Sequence, residues 1–204
     1  MEQDGKVWTK EDLVRDLREN AGIQAGDTLI LHSSQHALGR IEGGVVTTVH
    51  ALKEVITPEG TLLLPVFSNP PKGPERVMKL KRAPSRVGLV TEAFRRSDGV
   101  VRSMHPTHSV AAWGARAEEF VAGHEQCSGG LGVDSPFHNA AKAGADVFML
   151  GCDLNTLSLI HCAEAAARVP YLGKVFYGGY EEPITLIDLE GNEHVFQPGD
   201  VPTD

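Results

Sequence analysis

Apolar residues return along this chain in two rhythms. Over residues 9–21, Leu13, Val14 and Leu17 recur at helical spacing behind Thr9-Lys10-Glu11-Asp12, which has the form of a capping box, and Gly22 stands where that helix should stop. A short apolar run at 28–31, preceded by Gly26-Asp27, predicts a buried strand. Residues 32–44 are polar, contain glycines and read as a loop. Val46, Val49, Leu52, Val55 and Ile56 make a helical stripe over 45–57, closed by Pro58-Glu59-Gly60, and 61–66 is a second buried strand. Helix, strand, loop, helix and strand in that order predict an α/β layer structure, with loops opening at the carboxyl ends of the strands, where open sheets bind ligands.

The stretch 67–84 holds Pro70, Pro71, Pro74 and Pro84 without periodicity and is expected to be a long irregular loop. A helix follows over about 86–97, then a strand over 109–113 closed by Gly114. The glycine-rich passage 128–132 leads to Asp134-Ser135-Pro136, a helix start with proline early in the first turn. Residues 146–150 predict a strand, and 155–168 an alanine-rich helix ended by Val169-Pro170. Segments 184–189 and 194–196 flank Gly191-Asn192 as a hairpin.

Composition narrows the class. With 204 residues, 41% hydrophobic and 23% charged, the chain is that of a globular protein with one sizeable core, and a single domain over 1–204 is expected. The net charge of −8 argues against nucleic acid, since the single basic cluster is Lys79, Lys81, Arg82 and Arg86. That cluster is either a solvated turn or an anion contact for a phosphorylated ligand. Cys127, Cys152 and Cys162 are odd in number and lack metal spacing, as expected of a reducing cytoplasm. Neither a signal peptide nor an apolar run long enough for a membrane span is visible.

Three segments carry candidate chemistry. His161 and Glu164 lie at i and i+3 within a helix, hence on one face, where a carboxylate fixes the tautomer of a histidine and makes it a better general base. Leu157, Ile160 and the alanines around them predict burial; the alternative is a surface pair. His32-Ser33-Ser34 ends the first strand, with Gly39, Gly43 and Gly44 behind it. Such residues either let backbone N–H groups approach a phosphate or pantetheine amide, or simply turn the chain into the next helix. In Arg102-Ser103-Met104-His105-Pro106-Thr107-His108-Ser109 the two histidines are metal ligands or parts of a polar loop. The G-x-S-x-G elbow of a serine hydrolase is absent, and Cys162 cannot face His161 at i+1 on a helix.

Taken in order, Leu31-His32-Ser33-Ser34 with Gly39 and Gly43-Gly44, Pro58-Glu59-Gly60-Thr61-Leu62, Pro65-Val66-Phe67-Ser68, Arg102-Ser103, His105-Pro106-Thr107-His108-Ser109-Val110, Ser135-Pro136, Asn155-Thr156 and His161-Cys162-Ala163-Glu164 resemble the aminoglycoside 3-N-acetyltransferase family. These are the antibiotic N-acetyltransferases distinct from the GNAT fold. The resemblance spans most of residues 7–180. It implies a three-layer α/β fold, a central sheet flanked by helices, and acetyl transfer from acetyl-coenzyme A to the 3-amino group of an aminoglycoside, without a metal. On it, His161 matches the catalytic histidine and Glu164 its orienting partner, with His32 as a further catalytic residue. His32, Ser33, Ser34, Gly39, Gly43, Gly44, Arg102, Ser103, His105, Pro106, Thr107, His108 and Ser109 match the segments lining the coenzyme and acetyl site. Family members usually continue past the hairpin at Gly191-Asn192, so a short C-terminus and a shortened 67–84 loop are expected here.

The implied mechanism is direct attack in a ternary complex, a base removing a proton from the acceptor ammonium; the acidic surface would favour a polycationic acceptor. Two siblings stay open, an N-acetyltransferase for another metabolite amine and a coenzyme A-binding module without turnover. A metal hydrolase built on His32, His105 and His108 is a third.

Overall fold

A computed structural model describes residues 5–69, 71, 75–127, 129–171 and 182–197. Its strands are β1 (Val7–Trp8), β2 (Thr28–Ser33), β3 (Arg40–Ile41), β4 (Thr61–Pro65), β5 (Val77–Lys79), β6 (Val101–Arg102), β7 (Val110–Gly114), β8 (Asp146–Leu150), β9 (Ile184–Ile187) and β10 (Glu193–Phe196). Its helices are α1 (Lys10–Glu19), α2 (Gly44–Ile56), α3 (Leu89–Arg95), α4 (Ala117–Val121), α5 (Pro136–Lys142) and α6 (Ile160–Ala166).

Local chemistry accounts for the helix starts. Thr9 Oγ1 accepts from the Asp12 amide at 3.1 Å while the Asp12 carboxylate accepts from the Thr9 amide at 3.3 Å, so the capping box of α1 closes in both directions. Ser135 caps α5 in one direction only, its Oγ accepting from the His138 amide at 3.4 Å, with Pro136 at the first position, where no N–H is needed.

The five-stranded sheet runs β6-β7-β4-β2-β8; β2 is parallel to β4 and β8, and β7 is antiparallel to both β4 and β6. Side chains alternate across it. Leu29, Leu31, Leu62, Leu64 and Ala111 face the layer of α1, α2 and α3, whereas Ile30, Leu63, Val110 and Ala112 face Phe120 of α4, Phe137 and Ala140 of α5 and Cys162 of α6. Both faces are covered, which is why these strands read as unbroken apolar runs. The fold is three-layer α/β.

A second sheet, β10-β9-β5, packs its own core of Met78, Leu80, Ile184, Leu186 and Phe196 against Met104. It corrects the expectation for 67–84: the loop contains β5, paired in parallel with β9. Three residues are too few for alternation to be seen in sequence. The helix expected over 155–168 is also divided, into a 3-10 turn at Leu154–Thr156 capped by Asp153 and the short α6, because Leu157 leaves the helical region. The hairpin at Gly191-Asn192 forms as expected, with Gly191 at φ 101°. Among the described residues no helix is long and apolar enough to cross a membrane.

The topology gathers loops at one end of the large sheet. Residue 34 follows β2 there and is tied to the end of β8 by Ser34 N–H···O Leu150 at 2.9 Å. Because β7 is antiparallel to β4, the segment entering β7 lies beside the one leaving β4, joined by Val66 N–H···O Ser109 and Ser68 N–H···O Thr107, each 2.8 Å.

Candidate active site

The short helix α6 buries only Cys162, whose thiol lies 3.7 Å from Ser135 Oγ on α5. His161, one position earlier, therefore points away from the core, and its side chain is 34% exposed. Ile160 is half exposed too, so the burial expected from the surrounding apolar residues does not occur. A helix of seven residues with one buried position has no second face to hide.

The pairing itself forms as the spacing requires. His161 Nδ1 lies 2.7 Å from Glu164 Oε2. A carboxylate accepts only, so Nδ1 carries the hydrogen and Nε2 is the basic nitrogen of the neutral ring. Glu164 Oε1 accepts a second bond, from the Tyr171 hydroxyl at 2.7 Å. These two donors, His161 first, hold the Glu164 carboxyl below its ordinary value and keep it ionised.

Beside this pair lies a nest of buried histidines. His124 Nε2 is 2.9 Å from the Gly130 carbonyl, which fixes the proton on that nitrogen; Nδ1 must then accept from Ser103 Oγ at 2.7 Å, and Ser103 Oγ accepts in turn from the Val110 amide at 2.8 Å. His105 stacks on His124 with ring centroids 4.8 Å apart, and its Nδ1 accepts from the amides of Thr107 and His108 at 3.2 and 2.9 Å. Phe196 of the second sheet closes over it at 5.0 Å. Burial pushes His124 down to about 4 and His105 well below the ordinary range, so both stay neutral.

His108 links the nest to α6. It packs against Phe67 at 4.8 Å, with Thr107 Oγ1 2.9 Å from Nδ1. Burial, and next the proximity of His161, push it down to about 4, which puts the loop before β7 near α6. Gly130, in the passage before α5, lets its own backbone pass close to His108: a Cβ there would sit 2.3 Å from that of His108.

The other expected ligand residues divide. His32 lies on the α5 and α6 face of the sheet, edge-on to Phe137 at 6.0 Å, and its buried Nε2 has no hydrogen-bond partner among the described residues. Burial lowers its pKa. Ser33 Oγ, on the opposite face, is also without a partner, whereas the Ser34 amide is used by Leu150. Gly39 ends a 3-10 turn leading into β3, which pairs with β1, and Gly43 and Gly44 open α2 at φ 72° and 65°. These three glycines make the turn into α2.

Arg102 departs from its expected role. Its five N–H groups reach Ser109 Oγ, Leu80 O, Ala83 O, Val66 O and Ser68 Oγ at 2.7–3.3 Å, and none is left for a coenzyme. Burial draws its pKa down to about 10. Ser109 donates onward to Val66 O at 3.0 Å, so Arg102, Ser103, His105 and Ser109 tie loops together, while Thr107 and His108, across the Pro106 turn, reach the site. Lys79, Lys81, Arg82 and Arg86 are exposed, on and after β5. Among the described residues no group of three or more His, Cys, Asp or Glu is placed to hold a metal ion, and His105 Nδ1 is taken by two amides. Sequence reasoning passed over His124 and Tyr171. Nothing beside His124 announces its partners, and Tyr171 lies just past the expected helix end.

The chain as a whole agrees with one set of known proteins. A family model described as aminoglycoside 3-N-acetyltransferase matches residues 30–179. The chain belongs to that family. Among its aminoglycoside 3-N-acetyltransferase relatives, it is 36% identical over 204 residues to aminoglycoside N(3)-acetyltransferase VIII of Streptomyces fradiae, covering 91% of this chain and 70% of that protein. The corresponding type VII protein of Streptomyces paromomycinus is 37% identical, with 92% and 69% covered. Solved structures of this type superpose closely. AAC-IIIb, determined as a binary complex with CoASH, gives a TM-score of 0.75 at 27% identity over 98% of this chain and 78% of that one. AAC-VIa bound to sisomicin gives 0.76 at 28% identity, covering 93% and 74%.

Proposed function

We propose that this chain transfers an acetyl group from acetyl-coenzyme A to the 3-amino group of an aminoglycoside, with His161 as general base. The observation that carries the reading is the His161–Glu164 pair, bonded at 2.7 Å and standing partly open at the loop end of the sheet. The relatives' names and their structures with CoASH and sisomicin support both substrates.

An acceptor amine is mostly protonated near neutral pH and cannot attack. His161 Nε2 takes one proton while Glu164 holds the ring; the amine nitrogen then adds to the thioester carbonyl, the carbon–sulfur bond breaks, one proton leaves with the coenzyme's thiol and the second proton shed by the nitrogen passes to solvent. Base catalysis of this kind supplies about 10²–10⁴-fold and positioning up to about 7–11 kcal/mol. His32 and Ser33, whose buried Nε2 and Oγ at the end of β2 lack partners among the described residues, and His108, near His161 and bonded to Thr107, are the residues of this chain offered for the coenzyme's thioester and pantetheine end. The net charge of −8 favours approach of a polycation. Cys127, Cys152 and Cys162 as free thiols fit a cytoplasmic setting, where acetyl-coenzyme A is formed.

The test is thiol release from acetyl-coenzyme A across a panel of aminoglycosides and simpler amines, with the product's acetyl position read by NMR. Turnover confined to acceptors with a free 3-amino group, and loss of about 10²–10⁴-fold in kcat for His161→Ala with coenzyme affinity retained, are expected. Coenzyme binding without turnover on any amine would leave only a binding module, and turnover on other amines alone would replace the acceptor.

A further inference from the structure

The carboxylate that orients His161 has a second partner with no role in the chemistry so far. Tyr171 donates to Glu164 Oε1 at 2.7 Å, while the other oxygen accepts from His161 Nδ1 at the same distance. The chain turns sharply to make this contact. Beyond α6, Arg168 N–H bonds to Ala165 O at 3.1 Å and Val169 N–H to Glu164 O at 3.2 Å, the paired pattern that closes a helix when the residue after the cap is left-handed. Glycine usually occupies that position; here it is Arg168 at φ 51°. Pro170 follows and prevents the helix from resuming. The reversal carries Tyr171 back over the end of α6 onto the carboxylate. Tyr171 stays 48% exposed, so burial of its ring does not account for where it sits.

A glutamate side chain ends in a torsion with a broad minimum, and a single hydrogen bond leaves its carboxylate free to swing. Two short bonds, one to each oxygen, fix its plane. We propose that Tyr171 is a positioning residue for the base: by occupying Oε1 it holds Oε2 toward His161 Nδ1, and it acts on acetyl transfer through Glu164 without touching either substrate. The inference rests on the reading of His161 as base. Tyr171 also contributes to keeping Glu164 ionised, second after His161 itself.

Tyr171→Phe keeps the ring and removes the donor. The expected result is a fall in kcat of about three- to tenfold, the fold-change equivalent to one net hydrogen bond, with KM for both substrates within about twofold and an unchanged melting temperature. In a Glu164→Ala background, Tyr171→Phe should have no further effect, a non-additivity that a purely structural tyrosine would not show. In proton NMR spectra, the downfield resonance of the His161 Nδ1–H facing Glu164 should shift or broaden in Tyr171→Phe. An unchanged kcat, an equal loss in the Glu164→Ala background, or a rise in the acceptor's KM would each overturn the proposal, the last by placing Tyr171 on the substrate. The two readings fail separately. Full turnover by His161→Ala removes the base and Tyr171 with it, whereas an inactive His161→Ala beside a fully active Tyr171→Phe removes Tyr171 alone.

Discussion

On α6, His161 is about one-third exposed and its Nδ1 faces a carboxylate; a short distance away His124 is sealed from solvent, its nitrogens facing a serine hydroxyl and a peptide carbonyl. The side chains are identical. A carboxylate stabilises an imidazolium, so the first arrangement suits a group that must take up a proton and give it away. Burial does the reverse and outweighs the Gly130 carbonyl, which by itself favours the charged ring, so the second arrangement holds its ring neutral as a building element. Exposure and partner identity, not residue type, separate the histidine proposed as base from the buried ones.

Exchanging the damage tests that separation most strongly. His161→Ala should remove about 10²–10⁴-fold of kcat with little change in stability, because it empties no core position. His124→Ala should do the opposite, lowering unfolding free energy by about 2–4 kcal/mol, since it opens a cavity and leaves the Gly130 carbonyl and the Ser103 hydroxyl unpaired. Urea unfolding and steady-state kinetics on both variants decide the matter; a stable His124→Ala would mean that the nest is not structural.

Acid should sort the two regions with a smaller effect. His124 and His108 have values of about 4 in the fold against 6.5 unfolded. Between those values the unfolded chain binds more protons, so stability is complete above about 6.5 and falls as the pH drops toward 4. At pH 5 the loss is about 1–2 kcal/mol for each ring. Melting temperatures measured from pH 7.5 to 5 should decline accordingly, and a flat profile would show that these rings are not buried neutral.

The smallest effect lies at the end of α6. Arg168→Gly relieves a left-handed residue and should raise stability by about 0.5–1 kcal/mol, seen as a rise of about 1–3 °C in melting temperature, with kcat preserved while Tyr171 stays docked. A loss of stability would place the favourable contacts of Arg168 above its backbone strain.

Much of the scaffold was legible because its causes are local. The capping box at Thr9, the Ser135-Pro136 start, the apolar runs of β2, β4 and β8 and the turn at Gly191-Asn192 each depend on residues within a few positions of one another. The His161–Glu164 contact belongs with them, because i and i+3 meet on any helix. Arg102 was misjudged for the opposite reason. The resemblance set it among the coenzyme-lining segments, yet its acceptors come from positions 66, 68, 80, 83 and 109, which only the fold collects. β5 escaped notice because its pairing partner β9 lies about a hundred residues further along the chain.

Sequence alone determined that this chain builds an α/β sheet with loops gathered at one end, and that one histidine carries a carboxylate one helical turn away, since hydrophobic rhythm and helical geometry act over short spans. Which histidines are dry and neutral, which one stays open to solvent, that Arg102 ties loops together, and that Tyr171 meets Glu164 were decided by tertiary structure. Burial and hydrogen-bond partners come from elements far apart in the chain or from a backbone reversal without its usual glycine, and these fix what each ionisable group can do.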